Sequence, residues 1–166
     1  MIKSIKVMLR PNNKQASKLI ETANAARYAY NWAVALQMEH FEATGKYFSD
    51  SEARKLFTVH KQEKQWLYNV SNNATKQAIK DCCDAFWRFV DEKKKPNYKP
   101  YSKKQIAKAA EKKKELTRYD MKWHPKFKKK GKAQLKFYMD TDKIEFTDSH
   151  VRLEKIANNT KKTGQK

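Results

Sequence analysis

Apolar positions along the chain change period twice. Ile5, Val7 and Leu9 alternate with Ser4 and Lys6, with Met8 the exception, which predicts a short half-buried strand from Ile2 to Leu9, ended by Pro11. The period then becomes helical. Asn12 followed by Gln15 has the spacing of a capping box, and Leu19, Ala23, Ala26, Tyr30, Ala33 and Phe41 keep one face until Gly45 closes a long helix. Ser49 with Glu52 opens a second helix that carries Leu56 and Val59 and runs to about Lys64, before Trp66 and Leu67. Ser71 or Asn72 caps a third, whose face of Ala74, Ala78, Cys82, Ala85, Phe86 and Phe89 breaks down at Lys93. From Lys94 the stretch KKPNYKPYSKK reads as a linker, and Ser102 caps a polar helix reaching about Leu116. Its few apolar positions, Ile106, Ala109, Ala110 and Leu116, predict a helix that docks on a partner or frays. After Pro125 and Gly131 the period returns to two: Leu135, Phe137 and Met139, a turn over Asp140 to Lys143, then strands with Ile144 and Phe146 and with Val151 and Leu153. Residues 158–166 hold no core positions, and no internal repeat is present.

One strand, then helices, then three strands predict an α+β fold with the helices inserted between the first strand and the rest of a small sheet. Four short strands are too few to close, so the sheet edges need cover. A chain of 166 residues accommodates one well-cored domain or two small lobes sharing a border.

Charge sharpens the picture. The formal net charge is +20, and the stretch from Lys93 to Lys136 supplies most of it: eighteen Lys and Arg against Glu111, Glu115 and Asp120. Such a run repels itself and calls for a phosphate-bearing partner, nucleic acid first. Lys predominates, with Arg only at 10, 27, 54, 88, 118 and 152, which favours backbone contact over base reading. Tyr98 and Tyr101 lie among the lysines, as do Tyr119, Trp123 and Phe127, and suit stacking on unpaired bases; packing is an equal alternative for Trp123 and Phe127. Tyr28, Tyr30 and Trp32 read as packing groups of the long helix.

Other chemistry is sparse. Asp81 and Asp84 have the spacing of ordinary surface carboxylates, and His40, His60, His124 and His150 show no ligand pattern. The vicinal Cys82 and Cys83 form neither a CxxC pair nor a disulfide framework, and three scattered glycines make no phosphate loop. The expectation is no catalytic residue, no metal and no cofactor, in a soluble, intracellular protein without a membrane segment, cytoplasmic and associated with the nucleoid.

The stretch Arg27-Tyr28-Ala29-Tyr30-Asn31-Trp32-Ala33 resembles the N-terminal region of TnpB (OrfB) proteins of insertion sequences, RNA-guided DNA endonucleases akin to the compact type V CRISPR effectors. Further pieces fall in that family's order: Leu9-Arg10-Pro11 with Gln15, Thr44-Gly45-Lys46, Trp66-Leu67, Val70-Ser71, the helix with Ala74, Ala78, Asp81, Ala85, Phe86 and Phe89, the box Pro125-Lys126-Phe127-Lys128, and Val151-Arg152-Leu153-Glu154-Lys155-Ile156. The resemblance implies a helical recognition lobe over 12–92, inserted into a small, incomplete, wedge-like β-barrel made of a first strand at 1–11 and later strands over 125–157. It leaves 93–124 as a Lys-rich linker and helix, an insertion relative to the family, and 158–166 as a disordered tail. In the family these parts bind guide RNA and read a short motif beside the target in double-stranded DNA. The RuvC-like nuclease lies downstream, outside this sequence.

By position, the family's motif readers match Asp50, Asn72, Lys76, Phe137 and Tyr138; a helix cap is the alternative for Asn72 and a core role for Phe137. The expected backbone contacts are Lys93, Lys94 and Lys95, then Lys112, Lys113 and Lys114, then Lys126, Lys128, Lys129, Lys130 and Lys132, with Tyr98, Tyr101 and Trp123 as stacking groups. Two further readings stay open: a freestanding basic RNA- or DNA-binding protein such as a repressor, and a scaffold completed by a separate nuclease-bearing segment or chain.

Overall fold

The computed structural model describes residues 8–147 and 150–156. Of the expected strand from Ile2 to Leu9, residues 2–7 lie outside them, as does the expected tail at 158–166, and Met8 and Leu9 belong to no strand. Three helices form the body: α1, Asn13–Thr44; α2, Asp50–Glu63; and α3, Asn72–Lys93. A short helix α4, Lys103–Glu111, follows, and a hairpin of β1, Ile144–Phe146, and β2, Val151–Leu153, ends the described chain. The hairpin is antiparallel, with Glu145 opposite Arg152. The class is α+β, mostly helical, and among the described residues the only sheet is this two-stranded one.

The caps form as the sequence predicts. Asn12 accepts from the Gln15 backbone N–H while the Gln15 side chain returns to the Asn12 N–H, both at 2.9 Å, and Gly45 ends α1 at φ 72°. Glycine takes that left-handed conformation without a Cβ penalty. Ser49 with Glu52 and Ser102 with Gln105 make the same reciprocal box on α2 and α4. At the start of α3 the cap is different: Ser71 occupies the position, but its hydroxyl donates to Glu154 at 2.6 Å and so ties the hairpin to the helix. Lys155 adds two bonds to the carbonyls of Tyr68 and Val70.

The core lies between α1 and α3, closed at one side by α2. Small residues on α1, Ala25, Ala29, Ala33 and Val34, are fully buried and let α3 approach with Ile79, Cys82, Cys83 and Phe86. Phe57 of α2 and Leu67 complete it, each large apolar side chain contributing about 1.5–3 kcal/mol on burial. Both thiols are free and buried, and burial raises their pKa, so they act as core groups. Tyr28, Tyr30 and Trp32 pack as expected: Trp32 meets Phe57 edge-on, and the Tyr28 hydroxyl lies 2.7 Å from His60 Nε2.

Two side-chain amides on α1 hold the irregular segments to this body. Gln37 donates to the Phe48 carbonyl at 2.9 Å and accepts from the Phe48 N–H at 2.8 Å. Asn31 does the same to Lys128, donating at 3.1 Å and accepting at 2.8 Å. The Arg27–Ala33 stretch and the Pro125–Lys128 box, far apart in sequence, thus meet at Lys128, whose carbonyl also accepts from Arg27 Nη1 at 3.4 Å.

Three expectations are corrected. The segment from Leu135 to Met139 is no strand; among the described residues nothing pairs with it as a sheet, and its alternation instead packs Phe137 on the helical core and buries Met139 while Leu135 stays exposed. Helix α4 stops at Glu111, short of Leu116, because Lys113 turns to φ 46° and the Lys113 and Lys114 N–H groups bond back to Ala110 and Ala109. The Lys-rich stretch is a folded excursion rather than a loose linker. Lys122 N–H donates to Pro100 O at 2.7 Å, the Tyr98 hydroxyl to Lys122 O, the Tyr101 hydroxyl to Thr117 O, and Gln105 to Asp120 O.

His124 anchors that excursion. It is buried against Phe86, Phe89 and Tyr119, all edge-on, with Nδ1 2.9 Å from Pro125 O. Burial lowers its pKa below 6.5. As pH falls, the unfolded chain takes up the proton first, so stability from neutral His124 is complete above about 6.5 and is lost as pH drops from there toward the folded-state value. His124→Phe should flatten the fall in Tm between pH 7 and pH 5 relative to the unmodified chain; parallel Tm profiles would refute this role. Asn31→Ala should cost about 1–3 kcal/mol and speed hydrogen exchange over 125–130, read by mass spectrometry.

Candidate nucleic-acid interface

The solvent face of α3 carries Asn73, Lys76, Gln77 and Lys80 at spacings of three, four and seven, so all four project from one side of the helix. Arg54 from α2 and Tyr138 and Asp140 from the segment that follows Leu135 close the rim of an open polar depression of about 230 Å³. Arg54 is fixed by Asp50, whose carboxylate accepts from Nη2 at 2.6 Å and whose backbone oxygen accepts from Nε at 3.2 Å. Asp140, beside the Tyr138 hydroxyl, raises the pKa of the phenol. Hydrogen-bond donors of four residue types, an aromatic ring and one carboxylate therefore face the same space, a set able to meet base edges and phosphates.

Of the expected motif readers, the structure brings Lys76 and Tyr138 together at this depression, with Asp50 behind Arg54. Asn72 stands apart as the first residue of α3. Its Oδ1 accepts from the buried ammonium of Lys61 at 2.8 Å, a group that also lies 4.6 Å from the Tyr68 ring and has no carboxylate partner among the described residues. Burial depresses the Lys61 pKa, with Lys155 and Lys76 adding repulsion. Phe137 packs against the core and lines a second cleft, of about 510 Å³, beside Arg27, Gln77 and Lys128. Arg54, Asn73, Gln77 and Lys80 were not singled out from the sequence, although the helical spacing of the last three with Lys76 was available there.

The expected backbone contacts divide. Lys126, Lys129, Lys130 and Lys132 are exposed around the turn at Gly131, φ 76°, and none forms an ion pair among the described residues. Lys128 belongs to packing: it is half-buried with Nζ 3.6 Å from the Tyr30 ring, a contact that accompanies a lowered Lys128 pKa and a Tyr30 pKa raised to about 12, both through burial. Lys94 and Lys95 pair with Asp91 and Glu92, and Lys114 with Asp120 at 3.6 Å, while Lys93 lies toward the Phe89 ring. Lys112 and Lys113 are exposed at the end of α4. Tyr98 and Tyr101 spend their hydroxyls on the excursion, whereas Trp123 is 67% exposed at φ 66° and Phe127 is 49% exposed, so neither is a core residue.

Known proteins resemble the chain in two respects. A family model described as a helix-turn-helix domain, that of OrfB proteins of the IS605 type, matches residues 1–46. The protein of Escherichia coli (strain K12) named "Putative RNA-guided DNA endonuclease InsQ" is 26% identical over 158 residues, which cover 94% of this chain and 32% of that protein. The resemblance to the N-terminal region of TnpB/OrfB proteins is thereby shown. The chain spans about a third of the length of the curated relative it matches, 32%. Within the part matched by that helix-turn-helix family model, the described residues contain one uninterrupted helix, α1, with no turn inside it. Among the described residues no group of three or more His, Cys, Asp or Glu is placed to hold a metal ion, and no helix is long and apolar enough to cross a membrane.

The Lys61–Asn72 contact separates support from recognition. Asn72→Ala leaves a buried ammonium without its acceptor and should cost about 1.5–3 kcal/mol in urea denaturation, with Lys61→Met in the same chain restoring most of it. Lys76→Ala, on the solvent face, should stay within about 0.5 kcal/mol. Equal effects of the two alanine variants would contradict this division.

Proposed function

We propose that this chain is the nucleic-acid-binding N-terminal part of a TnpB-like RNA-guided protein, engaging guide RNA through its lysine-rich surface and the DNA beside the target through the depression on α3. On this reading residues 12–92 act as the recognition lobe, and the segment from 125 onward supplies the rest of the surface. The observation that carries it is the convergence of Lys76 and Tyr138, expected at a motif-reading position, with Arg54, Asn73 and Gln77 on one face. Support also comes from the similarity to TnpB/OrfB proteins and to InsQ, a protein named as RNA-guided and acting on DNA.

The arrangement divides the labour physically. Arg54 is preoriented by Asp50; Asn73 and Gln77 carry amides able to match an adenine edge, with one Gln77 N–H already donating to Asp81 at 2.8 Å; Lys76 and Lys80 supply charge for guanine or phosphate. Lys80 is paired with Asp84 at 2.7 Å, an exposed contact that phosphate can displace. Among the described residues Lys126, Lys129, Lys130 and Lys132 carry no ion pair that must first be broken, so they contribute by counterion release.

Selection of duplex DNA from a pool randomised beside a fixed target, using the chain purified with the RNA it retains in cells, tests the reading. A short motif should be enriched, and Lys76→Ala or Gln77→Ala should weaken its preference by about 1–3 kcal/mol. No enrichment by the unmodified chain, or enrichment unaltered by both variants, would overturn the assignment. In parallel, alanine at Lys126, Lys129 and Lys130 should lower the slope of log K against log salt for RNA by roughly 0.7–0.9 per lost phosphate contact, while leaving Tm unchanged because Lys128 is retained.

A further inference from the structure

At the far end of α3, about 20 Å along the helix from Lys76 at 1.5 Å per residue, lies a cleft that none of the expected site residues defines apart from Lys93 and Lys94. Its volume is about 550 Å³, within the size range of small-ligand sites. The buried ring of Phe89 lines it, and Phe41, Tyr47 and Trp87 bring further aromatic surface, with about half of the indole, 47%, open to solvent. Lys46, Lys93, Lys94 and Arg118 also line it, and among the described residues no carboxylate does.

Two of these cations are placed by the rings. Arg118 stacks on Phe41, its guanidinium carbon 3.3 Å from the centroid, and donates from Nη2 to the Tyr47 hydroxyl at 2.8 Å. Lys93 extends over Phe89 at 5.6 Å. Lys94 carries an exposed ion pair with Asp91 at 3.2 Å, which an incoming phosphate can replace at little cost. Arg118 reaches the cleft because the lysine-rich excursion folds back onto the C-terminal ends of α1 and α3; an unfolded linker would leave that wall open.

Aromatic surface in a cleft with four cations and no anion is the composition of a site for an unpaired base with its flanking phosphates: the ring takes the base by stacking, whatever its identity, and the lysines meet the backbone. A duplex cannot use it, since its bases are stacked on one another and present only edges. We infer that this cleft captures one unstacked nucleotide of bound single-stranded RNA, with Trp87 as the stacking platform and Lys46, Lys93 and Lys94 on the phosphates. The inference rests on the nucleic-acid reading above but uses a different surface from the motif depression.

The test uses the full chain with two fluorescently labelled probes, a single-stranded eight-nucleotide RNA and a duplex RNA of the same length, titrated by anisotropy at fixed salt. Trp87→Ala should weaken the single strand by at least roughly five-fold and leave the duplex within two-fold, and Trp87→Phe should recover most of the loss. Because Trp87 is half exposed, circular dichroism and Tm should match the unmodified chain, which separates a contact from a folding defect. Equal losses for both probes, or no loss for the single strand, would overturn the inference. Either result leaves the DNA-motif selection and its Lys76 and Gln77 variants unaffected, so failure here is distinguishable from failure of the motif reading.

Discussion

The donor–acceptor pair of the Asn31 amide is the constraint on which the arrangement of the basic surface depends. A side-chain carboxamide presents one N–H and one C=O in the same plane, so it can satisfy both polar groups of a single extended residue much as a neighbouring strand would. Asn31 does this for Lys128 and Gln37 for Phe48, from the same helix. The basic segment needs such an attachment because its lysines repel one another and its apolar content is low. Once Lys128 is fixed, its aliphatic stem and ammonium settle on Tyr30, and the neighbouring lysines are directed outward. An aspartate at position 31 could accept but not donate, and leucine could do neither.

Legibility in the sequence followed the range of the interactions. Caps are local, and Asn12 with Gln15, Ser49 with Glu52, Ser102 with Gln105 and Gly45 marked helix ends that the structure keeps. The hairpin strands at Ile144 and Val151 were legible from period two. What failed was non-local. Leu135 to Met139 has a strand's alternation, yet alternation reports only which side chains turn inward, and here they turn toward a helical body. The fold of the Lys-rich excursion rests on tyrosine hydroxyls and a glutamine amide reaching backbone carbonyls fifteen or more residues away, bonds that leave no periodic trace. Lys113 ended α4 early because a lysine took the left-handed position usually given to glycine.

The same distinction governs the site. Lys76 and Tyr138, expected by family position, line one depression, and Asp50 holds Arg54 at its rim. Asn72 and Phe137, picked on the same ground, are drawn into support by partners that sequence spacing does not reveal: a lysine ammonium eleven residues upstream and the apolar core. The resemblance to TnpB/OrfB proteins proposes an order of segments along the chain, whereas the surroundings of each side chain come from its contacts.

Helix α3 links these surfaces, and its rigidity has a consequence for how they would work together. Its 22 residues span about 33 Å, with the polar stripe near its start and the aromatic cleft at its end, and its buried face locked to α1 by Ile79, Cys82 and Phe86. Two sites on one packed helix keep a fixed separation and a fixed rotation about the helix axis. A nucleic acid reaching both must therefore present its duplex portion and its unpaired portion at that spacing, or engage only one. On the proposed reading, geometry would add selectivity for shape to the motif preference of the polar stripe: tryptophan stacking tolerates many sequences, but the distance between the two surfaces does not tolerate every shape.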